Sequence, residues 1–478
     1  MNGLRTTKYI TISLALYFGW LLSFPFYGPV LHAAAPLYEF RGLSLSFIFS
    51  LSHTLAFLAG GLLLKNVKLW KRLKFLSLGV SLAVSTALLF SPPAIWPWAM
   101  VVLGASASLY ILGWAYPYAT FVPMGARLKL MASVIIGANI IYVFFNVLSR
   151  MASPSLLLVL AGIPLWFALL ALFFFQSGSQ LETTFQAPVI KNASFPAPMI
   201  LILCLFIAGL YLCSGFMYNI MQPFLTKASP LLIYYRYIPY IAVLVIMWYF
   251  GGRLQRYFSI YMGVSLLGLA FVSFALGYKS TAGLLMTTGL SEAAFAFLDL
   301  FVWVALGDLA FIYGAPFQFF GFALAAMLFS IIAGELIGAQ LLQIGEHYRL
   351  VTALFAATAI FLTFSVIPWL SEHIQKDLQW FLKTNAKEDT ENKKGPAEES
   401  HSGRSIKLLL PHYKLTPRET EIAALLLKGL TNREIAGQLF ISENTLKTHL
   451  RNIYPKYGVS QKRELLSLAL DKKKDTSS

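Results

Sequence analysis

The chain has few charged residues for its length and almost no cysteine. Only 12% of its 478 residues are charged, whereas 58% are hydrophobic. Such a chain cannot cover a globule with polar side chains, so the composition excludes an ordinary soluble protein. The two cysteines, Cys204 and Cys213, lie in one apolar run, which excludes a disulfide framework and a cysteine metal site.

Catalytic motifs are missing as well. The sequence contains no nucleophile triad, phosphate-binding loop or cluster of metal ligands, and the histidines His32, His53 and His347 lack metal-ligand spacing. We therefore predict that the protein is not an enzyme and that it needs no metal or cofactor.

Apolar runs of about twenty residues, each long enough to cross a bilayer, recur up to residue 370. We predict twelve membrane-spanning helices, the first of which is retained rather than cleaved as a signal peptide. The predicted spans are Tyr9–Leu31, Leu43–Leu64, Leu73–Phe90, Trp96–Tyr116, Leu130–Leu148, Pro154–Phe175, Pro198–Met221, Leu231–Phe250, Phe258–Leu276, Thr281–Leu306, Phe317–Ile344 and Leu350–Leu370.

The basic residues beside these spans predict their orientation, because cytoplasmic loops are rich in Lys and Arg. With a cytoplasmic N-terminus, the inner segments hold Arg5, Lys8, Lys65, Lys68, Lys71, Arg72, Lys74, Arg127, Lys129, Lys191, Arg253 and Arg256. The outer loops then hold only Arg41, Arg150, Lys227, Lys279 and Arg349. An even number of spans returns the C-terminus to the cytoplasm, so we expect a multi-pass inner-membrane protein with both termini inside.

A polar connection at 176–197 divides the spans into two sets of six, and the equivalent loops Lys65–Lys74 and Gly251–Arg256 are both basic. This layout resembles the major facilitator superfamily over about 370 residues, in architecture rather than in motif. The family's loop after the second helix carries Gly, Asp and Arg in a set order, whereas residues 64–68 contain no acid. The resemblance implies a bundle of two six-helix halves.

Ionisable side chains inside the predicted spans are few: Arg236, Glu292, Asp299 and Glu335. Such groups are costly in a bilayer unless they are paired or functional. Glu292 and Asp299, seven residues apart, share one helical face. One hypothesis is that the four line a central ligand cavity, where Arg236 pairs with an acid or meets an anionic ligand. The alternative is a structural interior ion pair.

The composition changes at Ser371. Apolar and aromatic residues first predict an interfacial helix, and the stretch from Lys387 to Ser405 then predicts a flexible linker. The predicted domains are a transmembrane domain at 1–370, a juxtamembrane helix and linker at 371–410, and a small helical domain at 411–478. The predicted fold class is all-α.

The stretch Leu415–Leu466 carries the start and stop signals of short helices. These are two capping boxes, a proline at a first helical position, a glycine stop and a serine cap: Thr416 with Glu419, Thr431 with Glu434, Pro417, Gly429 and Ser442. Their spacing is typical of a helix-turn-helix.

The third of these helices has two different faces. Leu446, Leu450 and Ile453 form an apolar stripe that must pack on the first two helices. The opposite side, here called the polar face, consists of Lys447, Thr448, Arg451 and Asn452. A solvated helical surface is the simplest interpretation of such a face, but the two capping boxes favour a recognition helix that enters a DNA major groove.

These residues resemble the LuxR-type helix-turn-helix of bacterial transcription regulators. The matching positions are Leu415, Thr416, Arg418, Glu419, Glu421, Gly429, Asn432, Glu434, Ile435, Ala436, Leu439, Ile441, Ser442, Thr445, Lys447, His449, Ile453, Lys456 and Val459. The resemblance covers about sixty residues.

The resemblance implies base contacts by Lys447, Thr448 and Arg451, phosphate contacts by His449 and Asn452, and a further contact by Thr445. It also implies a fourth helix from about Ser460 that pairs two copies of the chain, for which Leu465, Leu466 and Ala469 offer a small seam. Pro455 departs from the family pattern, and we expect it to kink or end the third helix one turn early.

The sequence as a whole predicts a membrane-bound one-component transcription regulator. Its expected partners are double-stranded DNA, a second copy of the chain, the lipid bilayer, an unidentified small molecule and RNA polymerase. Two alternatives stay open, namely a secondary transporter with a regulatory DNA-binding tail and a bundle that only anchors the DNA-binding domain.

Overall fold

The computed structural model describes residues 2–35, 39–177, 197–216, 232–254, 258–277, 279–343, 351–376 and 415–465. Single residues inside the last two ranges are excepted, namely 352, 353, 355, 359, 375, 428, 429, 433, 434, 437, 438, 440, 442 and 463. The chain divides into two compact units, Met1–Thr384 and Asn385–Ser478. We call them the membrane unit and the C-terminal unit. Both are mostly helical over their described residues.

The membrane unit is a bundle of long apolar helices. Apolar segments in lipid fold as helices because each backbone N–H and C=O must find its partner within the segment. In chain order the helices are α1 (Asn2–Ser23), α2 (Pro29–Ala34), α3 (Leu45–Leu63), α4 (Trp70–Ala87), α5 (Trp96–Phe121), α6 (Met124–Leu148), α7 (Pro154–Ser177), α8 (Ala197–Phe216), α9 (Leu232–Tyr235), α10 (Tyr237–Phe250), α11 (Phe258–Gly277), α12 (Thr281–Tyr313), α13 (Pro316–Leu341) and α14 (Ala356–Ile374).

Nine helices among the described residues are long and apolar enough to cross a membrane. Six of them are α3, α6, α8, α11, α12 and α13, and a seventh is α14. The other two are α5, extended at its start to Pro93, and α7, counted only as far as Phe174. Each of the nine overlaps a predicted span. The other three predicted spans fall on α1, α4 and the α9–α10 pair. The protein is thus a multi-pass membrane protein, and the total of twelve spans stays a prediction.

The two sets of helices meet along several helix pairs. We call α1–α7 the first half and α8–α14 the second half. The halves pack through α3 against α13 and through α6 against α10 and α12. Glycines permit the closest approach, since a Cβ atom added at Gly321 of α13 would lie 2.6 Å from the Cα of Gly61 in α3.

A short antiparallel hairpin departs from the all-α prediction. It pairs β1 (Glu39–Phe40) with β2 (Leu43–Ser44). Arg41 and Gly42, with φ of 54° and 77°, make the left-handed two-residue turn that such hairpins favour. Ser44 then caps α3 by accepting the Phe47 N–H at 3.2 Å.

The C-terminal unit contains α15 (Pro417–Leu427) and α16 (Glu443–Tyr457), which pack on each other. The segment between them makes two helical backbone bonds, from Ile435 N to Thr431 O and from Leu439 N to Ile435 O, both at 2.9 Å. The apolar core that these elements share consists of Ile422, Ala423, Leu426, Ile435, Ala436, Leu446, Leu450, Ile453, Tyr457 and Leu465. Most of the predicted dimer seam, including Leu466 and Ala469, lies outside the described residues.

Candidate functional sites

The start of α15 is held by the capping box that the sequence predicted. The Thr416 N–H donates to Glu419 Oε2 at 2.8 Å, and the Glu419 N–H donates to Thr416 Oγ1 at 3.3 Å. Lys456 near the end of α16 donates to the same Glu419 oxygen at 2.6 Å. One carboxylate therefore ties α15 to α16. The second box involves Glu434, which lies outside the described residues.

The periodicity of α16 sends its apolar and polar side chains to opposite sides. Leu446 and Ile453 are completely buried, and Leu450 is 5% exposed. Every member of the polar face is exposed, as is Thr445, whereas His449 is half-buried. Thr448 Oγ1 donates to the Asn444 carbonyl at 3.1 Å, which leaves its methyl group and a hydroxyl lone pair for other contacts. The polar face thus offers a guanidinium, an ammonium, an amide and a hydroxyl, the groups that read base edges and phosphates.

The predicted early end of the helix at Pro455 is wrong. α16 continues through Pro455 to Tyr457, and Gly458 with φ of 69° ends it. The Val459 N–H donates to the Tyr454 carbonyl at 3.0 Å, which is the bond pattern of a glycine-terminated helix. Pro455 lies in the last turn, so it costs one backbone hydrogen bond without shortening the helix.

We expect Glu419→Gln to weaken the C-terminal unit at neutral pH but not in acid. The Lys456 ammonium and the Thr416 N–H hold the pKa of Glu419 below its usual range. A lowered pKa means that the ionised carboxylate stabilises the fold, and this contribution is lost as the pH falls below about 4. The substitution should cost about 1 kcal/mol at pH 7.

Thermal unfolding of Asn385–Ser478 at pH 7 and in acid measures this difference. The control is Glu421→Gln, because Glu421 is 56% exposed in its pair with Arg418 and should matter little. An equal loss of stability at both pH values would contradict the role of the charge on Glu419.

In the membrane unit, three of the four predicted ligand residues lie on neighbouring helices of the second half. Arg236, between α9 and α10, places Nε 2.9 Å from Glu292 Oε1 of α12. Asp299, two turns further along α12, accepts hydrogen bonds from the Tyr211 hydroxyl and, at 2.6 Å, from the Tyr240 hydroxyl. We call Arg236, Glu292 and Asp299 the ionisable cluster.

Glu335 lies apart from the ionisable cluster. It is on α13, where its Oε2 accepts the Tyr27 hydroxyl at 2.8 Å. Tyr27 follows α1 and has a φ of 53°. This contact joins the two halves, so Glu335 has a partner other than Arg236.

The sequence prediction missed a buried ion pair between the halves. Arg127 Nη1 of α6 donates to Asp308 of α12, and the two residues are 1% and 2% exposed. Arg127 also donates to the carbonyls of Ala119 and Val122, the latter at 3.2 Å. The predicted tenth span ends at Leu306 and so excludes Asp308, but α12 runs to Tyr313. Gly314, a left-handed C-cap, is the sequence signal for the later end.

Lys74, like Arg127, is a buried cation that the orientation prediction counted with the inner segments. It is the fifth residue of α4 and is 1% exposed. Its Nζ is 4.1 Å from the ring centroid of Trp70 and 4.4 Å from that of Trp114. The two indole faces provide cation–π attraction for the buried ammonium.

Metal binding finds no support in the described part of the chain. It holds no group of three or more His, Cys, Asp or Glu side chains arranged for a metal ion. Both cysteines are free thiols, and Cys213 is buried.

The family described as "Bacterial regulatory proteins, luxR family" matches residues 413–469. These residues are a LuxR-family helix-turn-helix domain. The Bacillus subtilis transcriptional regulatory protein LiaR is 48% identical over 62 residues, which make up 13% of this chain and 28% of LiaR. The similarity to this regulator therefore spans under a third of its length. The family supports DNA binding by this domain. The polar face is an exposed basic surface of the domain.

The fold of the membrane unit is also found in solved transporter structures. A bacterial homologue of the iron transporter ferroportin, in an outward-facing state, has a TM-score of 0.60 and 14% identity and covers 78% of this chain and all of its own. The major facilitator superfamily transporter FucP, in the outward conformation, has a TM-score of 0.53 and 13% identity over 75% of this chain and 98% of its own. Most of the chain thus has the fold of that superfamily. These matches are to regulators and transporters, not to an enzyme family.

Proposed function

We propose that the protein is a membrane-bound one-component transcription regulator. The observation that carries this proposal is the exposed basic face of a LuxR-family α16 in the same chain as a multi-pass bundle with a transporter fold. In this proposal the bundle receives a small molecule or a membrane signal, and the helix-turn-helix binds promoter DNA. Dimerisation through the C-terminal helix and contact with RNA polymerase complete the mechanism.

The proposed orientation follows from charge. Basic residues concentrate in alternate loops, and a DNA-binding domain works only in the cytoplasm. We therefore propose that the bundle lies in the inner membrane and that both termini lie in the cytoplasm. In this orientation the Arg127–Asp308 pair lies at the cytoplasmic end of the bundle, because α6 begins there and α12 ends there.

The ionisable cluster is the proposed input site. Its side chains are only partly accessible, since those of Arg236 and Glu292 are 16% and 18% exposed. The cluster lies on α12 and at the start of α10, and both helices pack against α6 of the first half. A ligand bound between two halves can favour one arrangement over another only if it contacts them differently. Glu335 is left outside this site because of its contact with Tyr27.

Transport by the same bundle is the second candidate, and the transporter fold favours it. In that case the DNA-binding domain reports on the occupancy of the transporter. Both functions would use the ionisable cluster. A variant of the cluster therefore tests whether the bundle affects transcription at all.

Promoter occupancy in cells tests the proposal. Chromatin immunoprecipitation of full-length wild type, Glu292→Gln and the control Glu335→Gln, at matched protein levels, compares the DNA sites bound under several growth conditions. We expect Glu292→Gln to change occupancy several-fold and to abolish its dependence on conditions, because Arg236 loses its counter-charge. If Glu292→Gln responds like wild type, the bundle is an anchor and the sensing proposal fails.

A further inference from the structure

We propose that Asp299 is the counter-ion for a small organic cation, a ligand that joins an ammonium group to an apolar or aromatic body. This inference rests on the proposed function, since it names the class of ligand for the ionisable cluster. Three observations support it: the position of Asp299, the charges around it and the side chains that surround it.

The position of Asp299 is accessible but interior. α12 is largely buried, and four of its partly accessible residues form one stripe: Gly289, Glu292, Asp299 and Trp303. The spacings of three, seven and four residues place the stripe on one helical face. This face looks toward other helices, because Glu292 meets Arg236 and Trp303 packs on Phe18 of α1 with ring centroids 5.5 Å apart. A ligand between the halves would contact this stripe.

The charges of the cluster do not balance. Glu292 is neutralised by Arg236, but both oxygens of Asp299 accept from tyrosine hydroxyls. Within the described part of the chain no cationic side chain forms an ion pair with Asp299. With both acids ionised, the ionisable cluster carries one net negative charge.

The hydrogen bonds around Asp299 fit an ionised carboxylate. Each of its oxygens acts as an acceptor, and two O–H donors on one carboxylate are charge-assisted bonds. Hydroxyl donors solvate the charge only in part, and an ionised group in a membrane interior is costly without a counter-charge. Binding a cation supplies that counter-charge.

The surroundings favour an organic cation over a metal ion. Glu292 and Asp299 are seven positions apart on α12, a rise of about 10 Å, so one ion cannot bridge the two carboxylates. Next to Asp299 lie the rings of Tyr211 and Tyr240, and Phe295 packs on Tyr211 with ring centroids 6.2 Å apart. Aromatic faces attract ammonium groups and accommodate an apolar body.

Calorimetric titration of the purified full chain in lipid nanodiscs, with empty nanodiscs subtracted, tests the inference. The probes share a phenylethyl or phenylmethyl body and differ in charge: 2-phenylethylamine, 2-phenylethanol and phenylacetate. We expect saturable binding of the amine, about ten-fold tighter or more than that of the alcohol, and weaker binding still of the anion. Asp299→Asn should weaken amine binding by about ten-fold or more, while Glu335→Gln leaves it unchanged.

Equal binding of amine and alcohol by wild type, or no saturable binding of the amine, would overturn the inference without any variant. Amine binding that survives Asp299→Asn would overturn the role of this residue. The outcome is separable from that of the proposed function. If the amine binds through Asp299 but Asp299→Asn leaves promoter occupancy unchanged, the ligand class stands and the sensing role fails. If Glu292→Gln alters occupancy and the amine does not bind, only the ligand class fails.

Discussion

Replacing Asp308 with alanine should destabilise the membrane unit by about 3–5 kcal/mol, the range for breaking a buried ion pair by removing one partner. Asp308 and Arg127 are almost completely buried, and the substitution removes the carboxylate that faces the guanidinium. Arg127 keeps its carbonyl acceptors but loses its counter-charge. The pair joins α6 to α12, so the loss falls on the contact between the halves.

A double variant separates this charge effect from lost packing. Arg127→Met with Asp308→Leu removes both charges and fills most of the same volume, so it should be clearly more stable than Asp308→Ala alone. Thermal unfolding of the purified full chain in detergent, together with the fraction that elutes as a single species, measures the difference. A single variant as stable as wild type would contradict the account, as would a double variant no better than the single.

Removing Lys447 and Arg451 together should weaken binding to a cognate promoter by about a hundred-fold or more, since each such contact contributes about 1–3 kcal/mol. Both side chains are exposed on α16, while the stripe behind them is buried in the core of the C-terminal unit. The double alanine variant therefore removes contacts without disturbing packing. Thr420→Ala, a change at a partly exposed residue of α15, is the control and should bind like wild type.

The single variants distinguish the two kinds of DNA contact. If Arg451 reads a base, Arg451→Ala relaxes the preference at one base pair, whereas loss of a phosphate contact weakens binding to every sequence alike. Affinity for cognate and scrambled fragments at one fixed salt concentration measures both effects. Wild-type protein that binds both fragments equally would contradict sequence-specific recognition by the polar face.

Features with local causes were predictable from the sequence. The Thr416–Glu419 box depends only on two residues that are three positions apart, and both of its hydrogen bonds form. The burial of Leu446, Leu450 and Ile453 follows from the helical period alone. The apolar runs likewise predicted the helices of the bundle, because lipid leaves the backbone little choice.

Features with non-local causes were not predictable. The hydroxyl of Tyr211 reaches Asp299 across 88 positions of the chain, and Arg127 reaches Asp308 across 181. No spacing rule connects such residues, since helix packing brings them together. The orientation prediction therefore treated Arg127 as a loop cation, although it lies in the first turn of α6 and is buried. The error at Pro455 has a local origin, because Gly458 offered a stronger stop signal three residues later.

In the proposed mechanism, one polypeptide is embedded in the membrane and bound to specific DNA at the same time. The most direct measurement is to cross-link cells, isolate the membrane fraction, and sequence the DNA that co-purifies with the full-length chain. We expect a small set of promoter fragments in this fraction, retained by Thr420→Ala and lost when Lys447 and Arg451 are both replaced by alanine. DNA recovered equally with wild type and with the double variant, or found only with a soluble fragment of the chain, would contradict it.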